Sequence, residues 1–535
     1  MSTTDVAAPL AGAEAAPVSP GARITGRAIA LIAIAALSAA AAAIMLYSTE
    51  LGAGMSPDSV SYVDAARNLT AGRGYVALAR DGVTRPLTTW PPLLPATLAL
   101  IGLAGFDLLD GARWLISLLF GANVFLVGLC LYRWTREIPW AAVLGSFLAL
   151  VSFNQLQIHA WVWSEPLFLF CTFLGFFLLA EYLERPRLAL LVAAGIAIAG
   201  AVLTRYAGAA AAASAILAVL LLAAAPRAIR LRHALLLAAI SLLPLVLFAL
   251  RNRSATGGLS SRVFAFHPVL REAATSAAYT FSAWIMPWSI RGSARWALFL
   301  LCAVALLVAS SIVLLRRGEQ APVARGIWLL ILFVPVYIAA LIASLTFYDA
   351  SSPLDDRLLT PVFVAGLIVS LYVADRLVSS YRAKSVEVVT AAVVLALSVL
   401  YVAQAKDWVG RTHAEGNGYT SPAWRNSETI ALLRSMPEGT PILTNERGAI
   451  YLLTGRPTVT LPFKVVSQSL LPNPTYEQEM TAIKQRLLDG NGVVVIFNTI
   501  PWTKYTATLQ ELREQLSPLV AVARAKDGVI FKVGK

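Results

Sequence analysis

The chain is poor in charge, cysteine and histidine. Asp, Glu, Lys and Arg make up 14% of its 535 residues, against about 25% in an ordinary soluble domain. Hydrophobic residues make up 58%, and mean hydropathy is +0.69. A soluble protein of this size cannot hide that much apolar surface from water. A cytosolic enzyme, a disordered chain and a peripheral protein with one anchor are therefore excluded. The three cysteines, Cys130, Cys171 and Cys302, all fall in apolar runs, which excludes a disulfide scaffold. The four histidines (159, 233, 267 and 413) are scattered and show no metal-ligand spacing. No Walker or dinucleotide motif appears, which argues against an ATP-driven pump. No Ser/His/Asp order stands out either. No lysine precedes Lys384, so the cations of the apolar region are all arginine.

What remains is a polytopic α-helical membrane protein. Residues 1–22 are rich in Ala, Pro and Gly and read as a disordered cytoplasmic tail. An apolar run at about 28–47 is too long for a signal-peptide core and forms a first span. Further spans follow at about 112–132, 139–159, 164–183, 187–203, 207–225, 234–250, 296–315, 326–347, 359–375 and 386–403, making about eleven. Alternate short loops carry the arginines: 133 and 136; 185 and 187; 227, 230 and 232; 316, 317 and 325; 376 and 382 with Lys384. The short loops between them carry only Arg205 and Arg357. The positive-inside rule puts the first set and the N-terminus in the cytoplasm, and everything after 403 outside. The net charge of +13 divides accordingly. Residues 404–535 hold fifteen Lys and Arg against eleven Asp and Glu, so most of the excess lies around the spans. Topology accounts for it, and nucleic acid is not an expected partner.

The outer loop 48–111 has structure of its own. Ser56 caps a helix with Pro57 in its first turn, and Gly72 and Gly74 end it. Pro91-Pro92 starts a short apolar helix, 92–105, expected to lie at the interface. Residues 23–403 thus form a transmembrane domain, and 404–535 an extracytoplasmic α/β domain. In the latter, helical patterns (425–435, 476–489, 506–516) alternate with strand-like runs (441–444, 493–497) and a hairpin over 519–533 around Asp527-Gly528.

Ionisable groups at the membrane boundary carry the chemistry, because each is costly to bury without a use. Asp58 sits just past the outer end of the first span, and Glu165 opens the fourth span on the same face. Together they suit a general base with a partner, or a cation site. Asp64 is expected to be solvated or ion-paired. Arg205, Arg251, Arg262 and Arg357 stand at outer helix ends, where a guanidinium can hold a phosphate by its fork. For Arg357 a plain salt bridge to Asp355 or Asp356 is the competing reading. His267 is expected on the outer side as a polar site residue.

Pro57-Asp58-Ser59-x-x-Tyr62, Pro91-Pro92-Leu93-Leu94-Pro95, Ser164-Glu165-Pro166-Leu167-Phe168, Thr204-Arg205-Tyr206-Ala207-Gly208, Arg251-Asn252 and Asp356-Arg357-Leu358-Leu359-Thr360-Pro361 occur in this order. Over residues 27–403 this series resembles the GT-C class of glycosyltransferases, in the bacterial branch related to protein mannosyltransferases. The resemblance implies transfer of a sugar from a polyprenyl-phosphate carrier to a glycan, lipid or protein acceptor on the outer face, usually with inversion. It implies Asp58 as catalytic base and Glu165 as a second acidic group. It implies a substrate-binding set drawn from Tyr62, Arg205, Tyr206, Arg251, Arg262, His267 and Arg357. Many relatives carry paired acids in the first loop, whereas Ser59 stands beside Asp58 here. That weakens the case for a metal in that loop, although a divalent cation remains compatible with the two carboxylates.

The expectation is a hexosyl- or pentosyltransferase of the plasma membrane acting in envelope glycan synthesis. The rivals are a lipid or sugar transporter, and a non-catalytic glycan-binding relative. A transporter more often shows internal repeats and charges at the midplane, whereas the polar residues here gather at the outer boundary.

Overall fold

The structure, a computed structural model, describes residues 20–135, 140–269, 271–286, 290–315, 323–381, 383–501 and 505–534. Its membrane part runs through α1 (Pro20–Ser48), α2 (Pro57–Thr70), α3 (Leu93–Leu103), α4 (Leu108–Trp134), α5 (Trp140–Val151), α6 (Phe153–His159), α7 (Glu165–Glu184) and α8 (Leu188–Thr204). It continues through α9 (Gly208–Leu222), α10 (Arg227–Thr256), α11 (Arg271–Ala283), α12 (Gly292–Leu315), α13 (Arg325–Phe347), α14 (Asp356–Tyr381) and α15 (Lys384–Glu415).

Each expected span coincides with a helix or a helix pair, but the spans are not uniform. Among the described residues eight helices are long and apolar enough to cross a membrane, and α5 with α6 makes a ninth, bent by 57°. The bend falls at Ser152, whose hydroxyl accepts from the Gln155 N–H at 3.4 Å and so caps a new helix. The last two, α8 and α9, have 17 and 15 residues, fewer than the ~20 a full crossing takes. They meet at the half-buried Arg205–Ala207 break. Of the tail expected over 1–22, residues 1–19 lie outside the described residues, as do Arg136, Arg316, Arg317 and Arg382 of the Arg-rich loops.

The core of the membrane part is built by α1, α4, α5, α7, α8, α13 and α14, with Phe120, Phe168, Phe176, Phe333 and Tyr337 among its fully buried side chains. The 18-residue apolar window of α12 buries none of its residues inside the protein, which suits a helix that faces lipid. Between α1 and α4 the loop 48–111 holds the two expected helices, α2 and α3. Ser56 accepts from the Ser59 N–H at 3.3 Å, Pro57 is the first helical residue, and Gly72 and Gly74 take positive φ. A short hairpin, β1 (Val76–Leu78) with β2 (Thr84–Pro86), follows, and α3 packs on α2.

Beyond α15 the chain forms α16 (Pro422–Arg425), α17 (Glu428–Ser435), β3 (Ile442–Thr444), α18 (Arg447–Thr454), β4 (Val459–Thr460), β5 (Val465–Val466), β6 (Leu471–Pro472), α19 (Tyr476–Asp489), β7 (Val493–Phe497), α20 (Leu509–Gln515), β8 (Leu519–Arg524) and β9 (Gly528–Val533). Five strands make one sheet in the order β4-β3-β7-β9-β8. The central β7 is buried along its whole length and reads as a continuous apolar run for that reason. Its side chains alternate between faces: Val493, Val495 and Phe497 join α17 and α18, while Val494 and Ile496 join α19 and α20. The expected 425–435 helix divides because Ser427 caps α17, accepting from Ile430 N–H at 3.0 Å. The 506–516 helix starts late, at the Thr508–Glu511 capping box. Sequence periodicity did not reveal α18, β4 or the β5–β6 hairpin, all too short to carry a period.

Candidate functional site

Asp58 lies in the first turn of α2, held at its entry by two contacts on Ser56. The Ser56 hydroxyl caps the helix and also accepts from Trp163 Nε1 at 2.9 Å. The carboxylate is not left free. Arg357 Nη2 donates to Asp58 Oδ2 at 2.8 Å, and Arg357 Nε donates to Glu165. Glu165 is 2% exposed and also pairs with Arg205. Arg205 Nη1 further donates to Ser164 Oγ at 2.9 Å, and the Tyr62 hydroxyl donates to the same oxygen at 3.4 Å. The Arg357 guanidinium lies 4.6 Å from the centre of the Trp163 ring. Four helices, α2, α7, α8 and α14, thus converge on a four-charge network with two carboxylates and two guanidiniums. A buried carboxylate such as Glu165 is tolerable only because both guanidiniums compensate it.

The competing reading of Arg357 does not hold. Asp355 Oδ1 accepts from the backbone N–H of Arg357 and Leu358 at 3.1 and 3.4 Å, so it serves the start of α14. The Asp356 carboxylate accepts from Asn154 Nδ2 and Trp284 Nε1, each at 2.9 Å. Neither acid forms a salt bridge with the Arg357 guanidinium. Asp64 is also not as expected: it is 4% exposed and has no ion pair among the described residues. It accepts instead from Leu78 N–H at 2.6 Å and from the Tyr451 hydroxyl at 2.7 Å, which ties α2 to α18. Burial and that contact push the Tyr451 hydroxyl up to about 12.

Two cavities of about 550 Å³ each share Asp58. The first runs between the start of α9 and the end of α13. Its lining includes Arg205, Arg357, Tyr206 and Arg262, and its apolar part is made by Ala209, Ala210, Ala340, Leu341, Ala343 and Leu345 with Phe347. Arg262 Nη1 donates to Asp349 Oδ2 at 3.0 Å, and the Tyr206 hydroxyl donates to Thr88 O at 3.0 Å. The second cavity lies between the β1–β2 hairpin and the C-terminal domain, with Arg80, Arg447, Phe463 and Gln468 in its lining.

Of the other expected binding residues, Tyr62 is 1% exposed and lies behind Ser164, outside the lining of either cavity. Burial, then the charges of Asp58 and Glu165, push its hydroxyl far above the tyrosine range. Arg251 is part of the scaffold: it donates to Leu87 O at 3.1 Å and Tyr75 O at 2.7 Å and so holds the hairpin to α10. His267 is buried, with neither ring nitrogen hydrogen-bonded among the described residues, and lines neither cavity. No group of three or more His, Cys, Asp or Glu that could hold a metal occurs among the described residues. Sequence reasoning missed Trp163, Arg80 and Arg447. The doubled tryptophan of Trp161-Val162-Trp163 was a usable signal for the first; nothing local marks the other two.

No family model and no curated protein matches this sequence. Solved structures do match in fold. ArnT from Cupriavidus metallidurans, in the apo state, has a TM-score of 0.58 at 13% identity, over 96% of this chain and 98% of that one. The same protein bound to undecaprenyl phosphate gives 0.58 at 14%, over 97% and 99%. Arabinofuranosyltransferase AftD from Mycobacteria gives 0.54 at 16%, over 94% of this chain and 40% of that one. This chain has the GT-C fold: a polytopic helical membrane domain followed by an α/β domain.

Proposed function

We propose that the protein is a glycosyltransferase that moves a sugar from a polyprenyl-phosphate carrier to a cell-envelope acceptor on the outer face of the membrane. The observation that carries this reading is the sharing of Asp58 by two cavities, one lined by apolar residues and arginines, the other open towards the C-terminal domain. An isoprenoid chain suits the slot between α9 and α13, with its phosphate at Arg205, Arg262 and Arg357. One structural neighbour is bound to undecaprenyl phosphate, a ligand of this chemistry. In this reading the acceptor hydroxyl approaches from the second cavity. Its oxygen bonds to the anomeric carbon as the bond from that carbon to the phosphate oxygen breaks. Asp58 takes the hydroxyl proton, and the carrier phosphate leaves with its charge held by the guanidiniums. Donor and acceptor in separate cavities that meet at Asp58 suit in-line attack and inversion. Glu165 touches neither cavity and acts as a positioning residue for Arg205 and Arg357. The topology that goes with this reading has a cytoplasmic N-terminus and an extracytoplasmic C-terminal domain.

The test uses the purified full chain in zwitterionic nanodiscs. Undecaprenyl phosphate is expected to raise the unfolding temperature, whereas undecaprenol, which lacks the phosphate, is not. In Arg205→Ala the shift should need roughly ten- to a hundredfold more lipid. An equal shift with both lipids, or one undiminished in that variant, overturns the carrier assignment.

A further inference from the structure

Arg80 follows β1 and Arg447 opens α18, and both line the second cavity. The Arg80 guanidinium stacks 4.0 Å from the centre of the Phe463 ring, and Arg447 Nη1 donates to Leu78 O at 2.6 Å. The other arginines around the two cavities have carboxylates: Arg85 has Asp81, Arg262 has Asp349, Arg205 has Glu165, and Arg357 has Asp58 and Glu165. Arg80 and Arg447 form no salt bridge among the described residues. The acids that act on them are engaged elsewhere: Asp64 by Leu78 and Tyr451, Glu446 by the Tyr419 hydroxyl at 2.6 Å, Asp81 by Arg85, and Glu479 by the Thr475 hydroxyl at 2.6 Å. Crowding by the protein, then the charge of Arg447, lowers Arg80 to about 10, which still leaves it charged at neutral pH. Asp58 also lines this cavity but is paired with Arg357, so Arg80 and Arg447 face one space without a salt-bridge partner of their own and raise each other's energy until an anion enters.

We infer that Arg80 and Arg447 hold a phosphate group of the acceptor, so that the protein glycosylates a phosphate-bearing glycan. The inference rests on the transferase reading above and deepens it. Two guanidiniums carry two positive charges, which a phosphate monoester of charge about −1.5 to −2 balances and a carboxylate does not. Their forks, both in the cavity lining, offer donors to more than one phosphate oxygen. The exposed part of Phe463 and the amide of Gln468 offer an apolar face and a hydrogen-bonding group to a sugar attached to that phosphate. The C-terminal domain supplies Arg447, Phe463 and Gln468, so it forms half of the acceptor site.

The test measures thermal unfolding of the full chain in phosphatidylcholine nanodiscs at constant ionic strength. Glucose 1-phosphate at millimolar concentration is expected to stabilise the wild type more than inorganic phosphate does, and glucose is expected to do nothing. In the Arg80→Ala/Arg447→Ala double variant the apparent affinity for glucose 1-phosphate should fall at least tenfold. The undecaprenyl phosphate shift should persist in that variant, which shows that it is folded with its donor cavity intact. No shift by glucose 1-phosphate in the wild type, or an equal shift in the double variant, overturns the inference. Equal affinity for inorganic phosphate and glucose 1-phosphate overturns the glycan. Phosphatidylglycerol nanodiscs that reproduce the shift without added ligand, through the same two arginines, overturn it in favour of a lipid headgroup. Loss of the undecaprenyl phosphate shift in both proteins sinks the donor reading instead.

Discussion

Arg357 reaches back 299 residues along the chain to donate Nη2 to Asp58 Oδ2 at 2.8 Å, and the same guanidinium holds Glu165. The proposed base is therefore charge-paired beside the place where a phosphate would sit.

Asp58→Asn keeps the shape and the hydrogen bond to Arg357 but cannot take a proton. The pair it alters is partly open to solvent, at 25% and 29% side-chain exposure, and contributes on the order of 0–1 kcal/mol. The expected outcome is a well-folded protein that has lost about a hundredfold or more in transfer rate. Near-normal transfer in a reconstituted assay would remove Asp58 as base.

Glu165→Gln should behave in the opposite way for stability. This carboxylate is 2% exposed and compensates two guanidiniums. Its loss strands buried charge, at a cost of about 3–5 kcal/mol. Thermal unfolding should place Glu165→Gln well below Asp58→Asn. The reverse ranking would show that Arg357 draws its compensation from Asp58.

Arg205→Ala and Arg251→Ala, alike in the sequence, should separate. Arg205 lines the apolar cavity, and removing its contact to a phosphate should cost about 1.5–3 kcal/mol in donor use, roughly ten- to a hundredfold in KM. Arg205→Lys should recover part of this. Arg251 spends its donors on two carbonyls of the 48–111 loop, so Arg251→Ala should lower stability while the donor shift persists. Similar KM effects from both would place Arg251 in the donor site.

Tyr451 gives a pH signature to the joint between domains. Its folded pKa, about 12, lies above the ordinary tyrosine value of 10.0. A raised pKa means that the contribution to stability is full below pH 10 and is lost as pH climbs towards 12. The wild type should lose stability across that window more steeply than Tyr451→Phe. Parallel curves would show that the contact to Asp64 does not titrate with folding.

The sidedness has a direct check at Lys526, whose side chain is 89% exposed in the C-terminal domain. Lys526→Cys should react with an impermeant maleimide in intact spheroplasts, with the unaltered protein as control for Cys302. Labelling only after permeabilisation would invert the topology.

How much of this could be read beforehand depended on the range of the interaction. The start of α2 was legible because Ser56, Pro57 and the two later glycines act on backbone within a few residues. The spans were legible because each apolar run declares itself. The hairpin at Asp527-Gly528 and the strand Val493–Phe497 were legible for the same local reason. The partners of Arg357 were not, since the two acids beside it in sequence serve the backbone of α14 and the side chains of Asn154 and Trp284. Arg251 carried the same outward sign as Arg205 and does different work, because only the fold decides which helix end faces a cavity. Arg80 and Arg447 were silent for lack of any local pattern.

The joint at the top of α2 sets a rule for building chimaeras. Gly418 approaches so closely that an added Cβ would stand 2.2 Å from Met55 O, and its φ of +56° is one that few other residues adopt. Tyr419 N–H donates to that same oxygen at 3.0 Å, while Tyr451 grips Asp64 further along α2. The C-terminal domain therefore clasps the helix that bears Asp58, and Arg447 clasps the hairpin beside it. A graft that exchanges residues 404–535 alone would leave mismatched halves on either side of this clasp. The transplantable unit is the C-terminal domain together with residues 54–90, and specificity should travel only when both pieces move at once.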